Sequence, residues 1–134
     1  MNLTAVIAAL QTYVSEHPTG GAACILLPAN DKSITRSDFR AITRAEVRDE
    51  EVVIAMGEPI FATSPNVRIS APELLKQLVA LSDWSKRWVA ISRGVEKIDE
   101  DSSIDFHDPV RNTGVVTAPE GETFLLIAEL PKAP

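Results

Sequence analysis

The sequence is poor in the residues that build disulfides, metal sites and aromatic cores. Its 134 residues include one cysteine and two histidines, and aromatic residues make up only 5%. A framework of internal disulfides is therefore excluded, and aliphatic side chains must fill the core. The single cysteine, Cys24, lies in the apolar run 22–27. This position predicts a buried thiol and a reducing compartment.

Long apolar runs and a surplus of positive charge are also missing. No stretch approaches the roughly 18 apolar residues of a membrane span, and no basic residue precedes the apolar N-terminus as in a secretory signal. The formal net charge is −6, whereas non-specific binding to nucleic acid needs an excess of Lys and Arg. We therefore expect a soluble, cytoplasmic protein that neither contacts membranes nor binds nucleic acid directly.

Familiar enzyme motifs are absent as well. The sequence has no Gly-x-Ser-x-Gly elbow, phosphate-binding loop or dinucleotide fingerprint, and residues 99–103 lack the order and the glycine of a calcium loop. These absences favour a non-catalytic protein over an enzyme. We predict no catalytic residue, no cofactor and no bound metal.

Hydrophobic periodicity predicts two helices and several strands. Apolar residues three and four apart indicate a helix over 3–14, and a capping box at Ser70 and Glu73 begins a second helix that reaches residue 81. Apolar runs predict strands at 22–27, 51–56, 88–91, 114–117 and 123–128. We expect one α+β domain over residues 1–134, with a short tail at 131–134. Two helices would cover one face of a mostly antiparallel sheet of about five to seven strands.

Residues 31–48 fit two structures. Thr35 and Asp38 could cap a helix that turns Phe39 and Ile42 toward the core. The alternation of apolar and polar residues from Phe39 to Val47 fits one face of a strand equally well. The strand is slightly favoured, with a turn at 49–50 leading into the next strand.

This same segment carries an arginine at every fourth position: Arg36, Arg40, Arg44 and Arg48. A helix or a strand would place all four guanidinium groups on one face, and such a stripe suits carboxylate or phosphate. The simpler interpretation is a solvated face paired with nearby carboxylates, because regular spacing alone is common.

Acidic residues are concentrated later in the chain, where we predict an exposed acidic loop over residues 96–112. Its carboxylates oppose one lysine, Lys97. They are Glu96, Asp99, Glu100, Asp101, Asp105 and Asp108. Such a loop could steer a basic protein partner toward the surface, or it could simply be solvated.

One cluster offers an alternative to protein binding. Asp105, His107 and Asp108 place an imidazole beside two carboxylates, which is the chemistry of a general base or a metal ligand set. The alternative is a small enzyme or ligand-binding domain with this cluster at an anion-binding pocket, where Arg40 or Arg44 would hold the substrate. The predicted loop position and the lack of a second nearby histidine favour a structural role.

Two tryptophans, Trp84 and Trp88, flank Lys86 and Arg87. An exposed indole here would anchor a partner, but we expect both rings to be buried. Segregated charge and the missing catalytic constellation together predict a non-catalytic protein-interaction module, such as a small acidic adaptor, inhibitor, immunity or chaperone-like protein. Its partner would be a basic protein or a second copy of the chain, which would give a homodimer.

Overall fold

In the computed structural model, two helices alternate with two groups of three strands. The structure describes residues 1–17, 21–26, 38–48, 50–60, 68–84, 86–97, 99–118 and 121–128. The elements are α1 (Leu3–Glu16), β1 (Ala22–Leu26), β2 (Phe39–Arg48), β3 (Glu51–Pro59), α2 (Ala71–Val79), a 3₁₀ turn (Ser82–Trp84), β4 (Val89–Lys97), β5 (Ser103–Ala118) and β6 (Gly121–Ala128). The predicted α+β class is confirmed.

Both helices begin at a polar cap and bury one apolar face. The side chain of Asn2 accepts a hydrogen bond from the amide of Ala5 at 2.9 Å, and α1 buries Leu3, Val6, Leu10 and Tyr13. The Ser70 hydroxyl accepts a bond from the amide of Glu73 at 3.2 Å, and α2 buries Ala71, Leu74 and Leu78. These contacts satisfy backbone amides that lack partners within the helix. Neither helix is long and apolar enough to cross a membrane.

The six strands close into a barrel in the order β1-β2-β3-β4-β5-β6. The pairs β1–β6 and β3–β4 are parallel, and the other four pairs are antiparallel. Each half of the chain is a helix followed by three strands, and the two parallel pairs are the seams that join the halves. The predicted sheet, mostly antiparallel and covered by two helices on one face, is confirmed.

The segment that fitted two structures is a strand over residues 39–48. Strand β2 pairs with β3 through a tight hairpin in which Arg48 lies opposite Glu51. Glu50, with φ of 65°, adopts the left-handed conformation that the turn needs. The helical alternative is therefore wrong for residues 39–48, because cross-strand pairing satisfies the backbone that a helix would have paired internally. Residues 31–37, including Arg36, lie outside the described residues.

The acidic stretch 96–112 is a hairpin rather than the predicted loop. Strand β4 continues to Lys97, β5 begins at Ser103, and residues 99–102 form the turn between them. The register places Val95 opposite Asp105 and Glu96 opposite Ile104. The prediction failed because an antiparallel sheet can keep one face in water, so polar residues do not end its strands. The predicted tail at 131–134 lies outside the described residues.

The main core lies between the helices and one side of the sheet. Its strand residues include Ile25, Ile42, Ile54, Ile91 and Leu126. A smaller cluster on the other side contains Cys24, Leu26 and Leu125, because successive residues of a strand point to opposite sides. Cys24 is fully buried, as the sequence predicts, and burial raises the pKa of its thiol to about 12.

Candidate protein-binding site

The most exposed large apolar side chain in the described part of the chain is Trp88, at 69%. It directly precedes β4, where the amide of Leu3 donates to the carbonyl of Arg87 and the amide of Val89 donates to the carbonyl of Met1, both at 2.9 Å. Val89 is buried, so the alternation of the strand turns Trp88 to the other side. The expectation that both tryptophans are buried is wrong for Trp88. Its alternation with Val89 was the sequence signal for exposure.

The residues just before Trp88 in the chain line an open cleft of about 530 Å³: Asp83, Trp84, Lys86 and Arg87. The Trp84 ring is half-buried against the core, and the Arg87 guanidinium lies 5.8 Å from its centre. This distance permits a cation–π interaction. Lys86, Arg87 and Trp88 are all exposed. We call the cleft together with Trp88 the Trp88 surface; it carries two cations and one anion.

The arginine stripe is largely paired within the molecule. The Glu46 carboxylate lies 2.5 Å from Nε of Arg48 and 3.2 Å from Nε of Arg44, and Nε of Arg40 donates to the carbonyl of Gly57 at 2.8 Å. Desolvation opposes ionisation of Glu46, but the hydrogen bonds and charges of the two arginines outweigh it and lower the pKa of the Glu46 carboxyl. The structure thus brings Arg44 and Arg48 together around one carboxylate, which leaves less positive charge for a partner.

The turn between β4 and β5 presents carboxylates at the end of the hairpin. Oδ1 of Asp99 accepts hydrogen bonds from the amides of Asp101 and Ser102, each at 2.9 Å, and from the Ser102 hydroxyl at 2.8 Å. The Ser102 hydroxyl and then the Asp101 amide lower the pKa of Asp99. Glu100 and Asp101 are exposed. We call Asp99, Glu100 and Asp101 the acidic tip; Glu96 and Asp105 lie on the two strands behind it.

Two residues of the alternative pocket, His107 and Asp108, lie on opposite sides of the sheet. His107 and Asp108 are neighbours in β5, so their side chains point to opposite sides of the sheet. Asp108 is buried opposite Ile91, whereas Nδ1 of His107 lies 2.6 Å from Oε2 of Glu51 on β3. Sequence reasoning missed Glu51, because no local pattern links positions that only the strand register brings together.

A serine completes a polar cluster around His107. Ser92 on β4 lies in register with His107, and its hydroxyl accepts a bond from Nη1 of Arg48 at 3.3 Å. Glu51, Ser92 and His107 therefore lie on three adjacent strands, β3, β4 and β5, and together they supply the acid, base and hydroxyl that nucleophilic catalysis uses. Ser92 is only 1% exposed, so its hydroxyl is covered in this structure and the accessible part of the cluster is the pair of His107 and Glu51.

Neither a search for metal ligands nor comparison with known proteins identifies a further site. The residues that the structure describes contain no group of three or more His, Cys, Asp or Glu side chains that could hold a metal ion. Comparisons with protein-family models, with curated proteins and with solved structures found no match to this chain.

Proposed function

We propose that the protein is a non-catalytic protein-interaction module that docks partners on the Trp88 surface. The observation that carries the proposal is the exposure of Trp88 beside exposed Lys86 and Arg87. Tryptophan and arginine dominate the binding energy of protein interfaces, because they combine a large apolar area with directed polar contacts. Burying one aromatic ring of this kind stabilises a complex by roughly 1.5–3 kcal/mol or more.

The separation of charge supports the same function. The Trp88 surface precedes β4 and the acidic tip follows it, so opposite ends of one strand offer unlike charges. An acidic segment of a partner would fit the first surface, and a basic partner would fit the second. The stripe of Arg40, Arg44 and Arg48 contributes less to partner binding, because these arginines already contact groups of the same chain. Glu46 pairs with Arg44 and Arg48, and Arg40 donates to the Gly57 carbonyl. We place the protein in the cytoplasm, which its single buried thiol favours.

A pull-down from host lysate tests this function with three bait proteins. The wild type is compared with Trp88→Ala and with Val115→Ala, which removes an exposed apolar side chain from β5. We expect the wild type and Val115→Ala to capture at least one protein in equal amounts. The amount captured by Trp88→Ala should be lower by about tenfold or more. Equal capture by all three baits, or no specific capture at low salt, would contradict the proposal.

A second candidate function is the small enzyme or ligand-binding domain, and the contact between His107 and Glu51 favours it. A carboxylate on Nδ1 orients an imidazole as a general base. Turnover of a small anionic substrate by the purified protein, lost in His107→Gln and kept in Asp101→Asn, would favour this candidate. Activity that is unchanged in His107→Gln, or absent altogether, would reject it.

A further inference from the structure

We propose that the Trp88 surface binds the acidic tip of a second copy of the chain, so that the protein associates with itself head to tail. This inference rests on the proposed function, since it names the occupant of the same docking surface. Each copy would contribute one Trp88 surface and one acidic tip, and the two contacts of a copy would involve different neighbours.

Charge complementarity identifies the occupant. The Trp88 surface combines an exposed indole with Lys86 and Arg87, and Asp83 leaves it one net positive charge. The tip supplies three carboxylates on consecutive exposed residues. Carboxylates accept paired hydrogen bonds from a guanidinium, and the indole covers the backbone of the turn that carries them.

The tip is also ordered before it binds. The three hydrogen bonds to Oδ1 of Asp99 hold the turn in one conformation, so docking loses little conformational entropy. The side chains of Glu100 and Asp101 make none of these three bonds. Both residues are exposed, so a neighbouring copy can reach their carboxylates. A preformed acidic turn suits a small open cleft better than a flexible peptide does.

The position of the two surfaces makes the contact intermolecular. Strand β4 contains nine residues, and at the rise of an extended strand its ends are about 30 Å apart. The acidic tip therefore cannot reach the Trp88 surface of its own chain. A contact between unlike surfaces is heterologous, so repetition gives a ring if the rotation closes and an open chain if it does not.

Net charge opposes this association and makes the test selective. Each copy carries a formal charge of −6, so copies repel one another at long range, whereas the contact itself acts within about 8–10 Å at physiological salt. Reversing two acidic residues adds four charges and reduces this repulsion. A general charge effect would thus strengthen association in Glu100→Lys/Asp101→Lys, while loss of the specific contact would weaken it.

Sedimentation velocity on purified protein, from about 10 µM to about 1 mM, distinguishes these outcomes. The tip variant is Glu100→Lys/Asp101→Lys, which keeps Asp99 and its turn. The surface variant is Arg87→Ala/Trp88→Ala. The matched control is Glu16→Lys/Glu58→Lys, which makes the same charge change on exposed residues elsewhere. We expect the mass of the wild type and the control to rise with concentration, and each of the other variants to associate at least tenfold more weakly.

Mixing the two defective variants provides the decisive measurement. The tip variant retains an intact Trp88 surface and the surface variant retains an intact tip, so an equimolar mixture should form one-to-one dimers and nothing larger. A wild type that stays monomeric throughout, or a mixture that stays monomeric while the wild type associates, would overturn the head-to-tail contact. If the wild type is monomeric but still captures another protein through Trp88, self-association fails and the proposed function stands. If it captures nothing, both fail.

Discussion

His17 and Glu122 join the end of α1 to the start of β6 through a contact of 2.5 Å between Nε2 and Oε2. The other ring nitrogen of His17 lies 2.8 Å from the carbonyl of Tyr13, and the two aromatic rings stack with centres 4.3 Å apart. The hydrogen bond to the Tyr13 carbonyl and then the one to Glu122 raise the pKa of His17. This contact is therefore strongest when the imidazole is protonated.

Stability should depend on pH through this contact. Because the pKa of His17 is higher in the folded state, its contribution is fully present below the unfolded value near 6.5 and is lost as the pH rises through the folded value. We expect His17→Gln to lower Tm relative to wild type in mildly acidic buffer, with a difference that disappears in alkaline buffer. Glu122→Gln should behave in the same way. A difference in Tm that does not change with pH would contradict this assignment.

Gly21 lies against Tyr13, and a larger residue there should destabilise the fold. A Cβ atom at this position would lie 2.7 Å from Cε2 of Tyr13, whose hydroxyl donates to the Glu122 carbonyl at 2.7 Å. We expect Gly21→Ala to lower the free energy of unfolding by about 1–3 kcal/mol, measured by urea denaturation. Gly114→Ala is the matched control, because its added Cβ would meet Ile127 at an ordinary 3.9 Å. Equal stability of the two variants would refute the proposed clash.

Leu78 and Val79 are adjacent in α2 but differ in what they contact. Leu78 is fully buried in the main core, whereas Val79 is 46% exposed. Leu78→Ala should therefore cost about 2–5 kcal/mol in unfolding free energy. Val79→Ala should change it by less than about 0.5 kcal/mol. Chemical denaturation of both variants checks the packing of α2, and a large loss in Val79→Ala would mean that the helix is rotated.

The thiol of Cys24 should be unreactive in the folded protein. Its burial and a pKa of about 12 leave almost no accessible thiolate at neutral pH. We expect a thiol reagent to label the native protein only as fast as the chain opens, and to label one thiol per chain at once in concentrated guanidinium chloride. Rapid labelling without denaturant would show that β1 is accessible to solvent. The labelling rate, followed by mass spectrometry, thus reports on opening of the barrel.

The helices and core strands follow from local sequence. Apolar residues spaced three and four apart predict which faces α1 and α2 bury, and the capping box predicts that α2 begins after Ser70. Asn2 and Thr4 were both possible caps of α1, and the structure shows that Asn2 is the cap. The burial of Cys24 follows from its apolar neighbours in the same way. Residues 39–48 were harder to assign, because arginines four apart share one face in either structure, and pairing with β3 decided the outcome.

Composition and periodicity thus determined the α+β class, the positions of the two helices and most of the core, since these depend on residues close together in the chain; the second helix ends at Val79 rather than at the predicted residue 81. Tertiary structure alone decided that Glu51 meets His107, that Glu46 pairs with Arg44 and Arg48, and that residues 96–112 form a hairpin. It also decided which member of the alternating pair, Trp88 or Val89, faces water. The physical reason is that strand register and the packing of helices against one face of the sheet bring together positions that are distant in the chain. The local preferences of each segment do not contain this information.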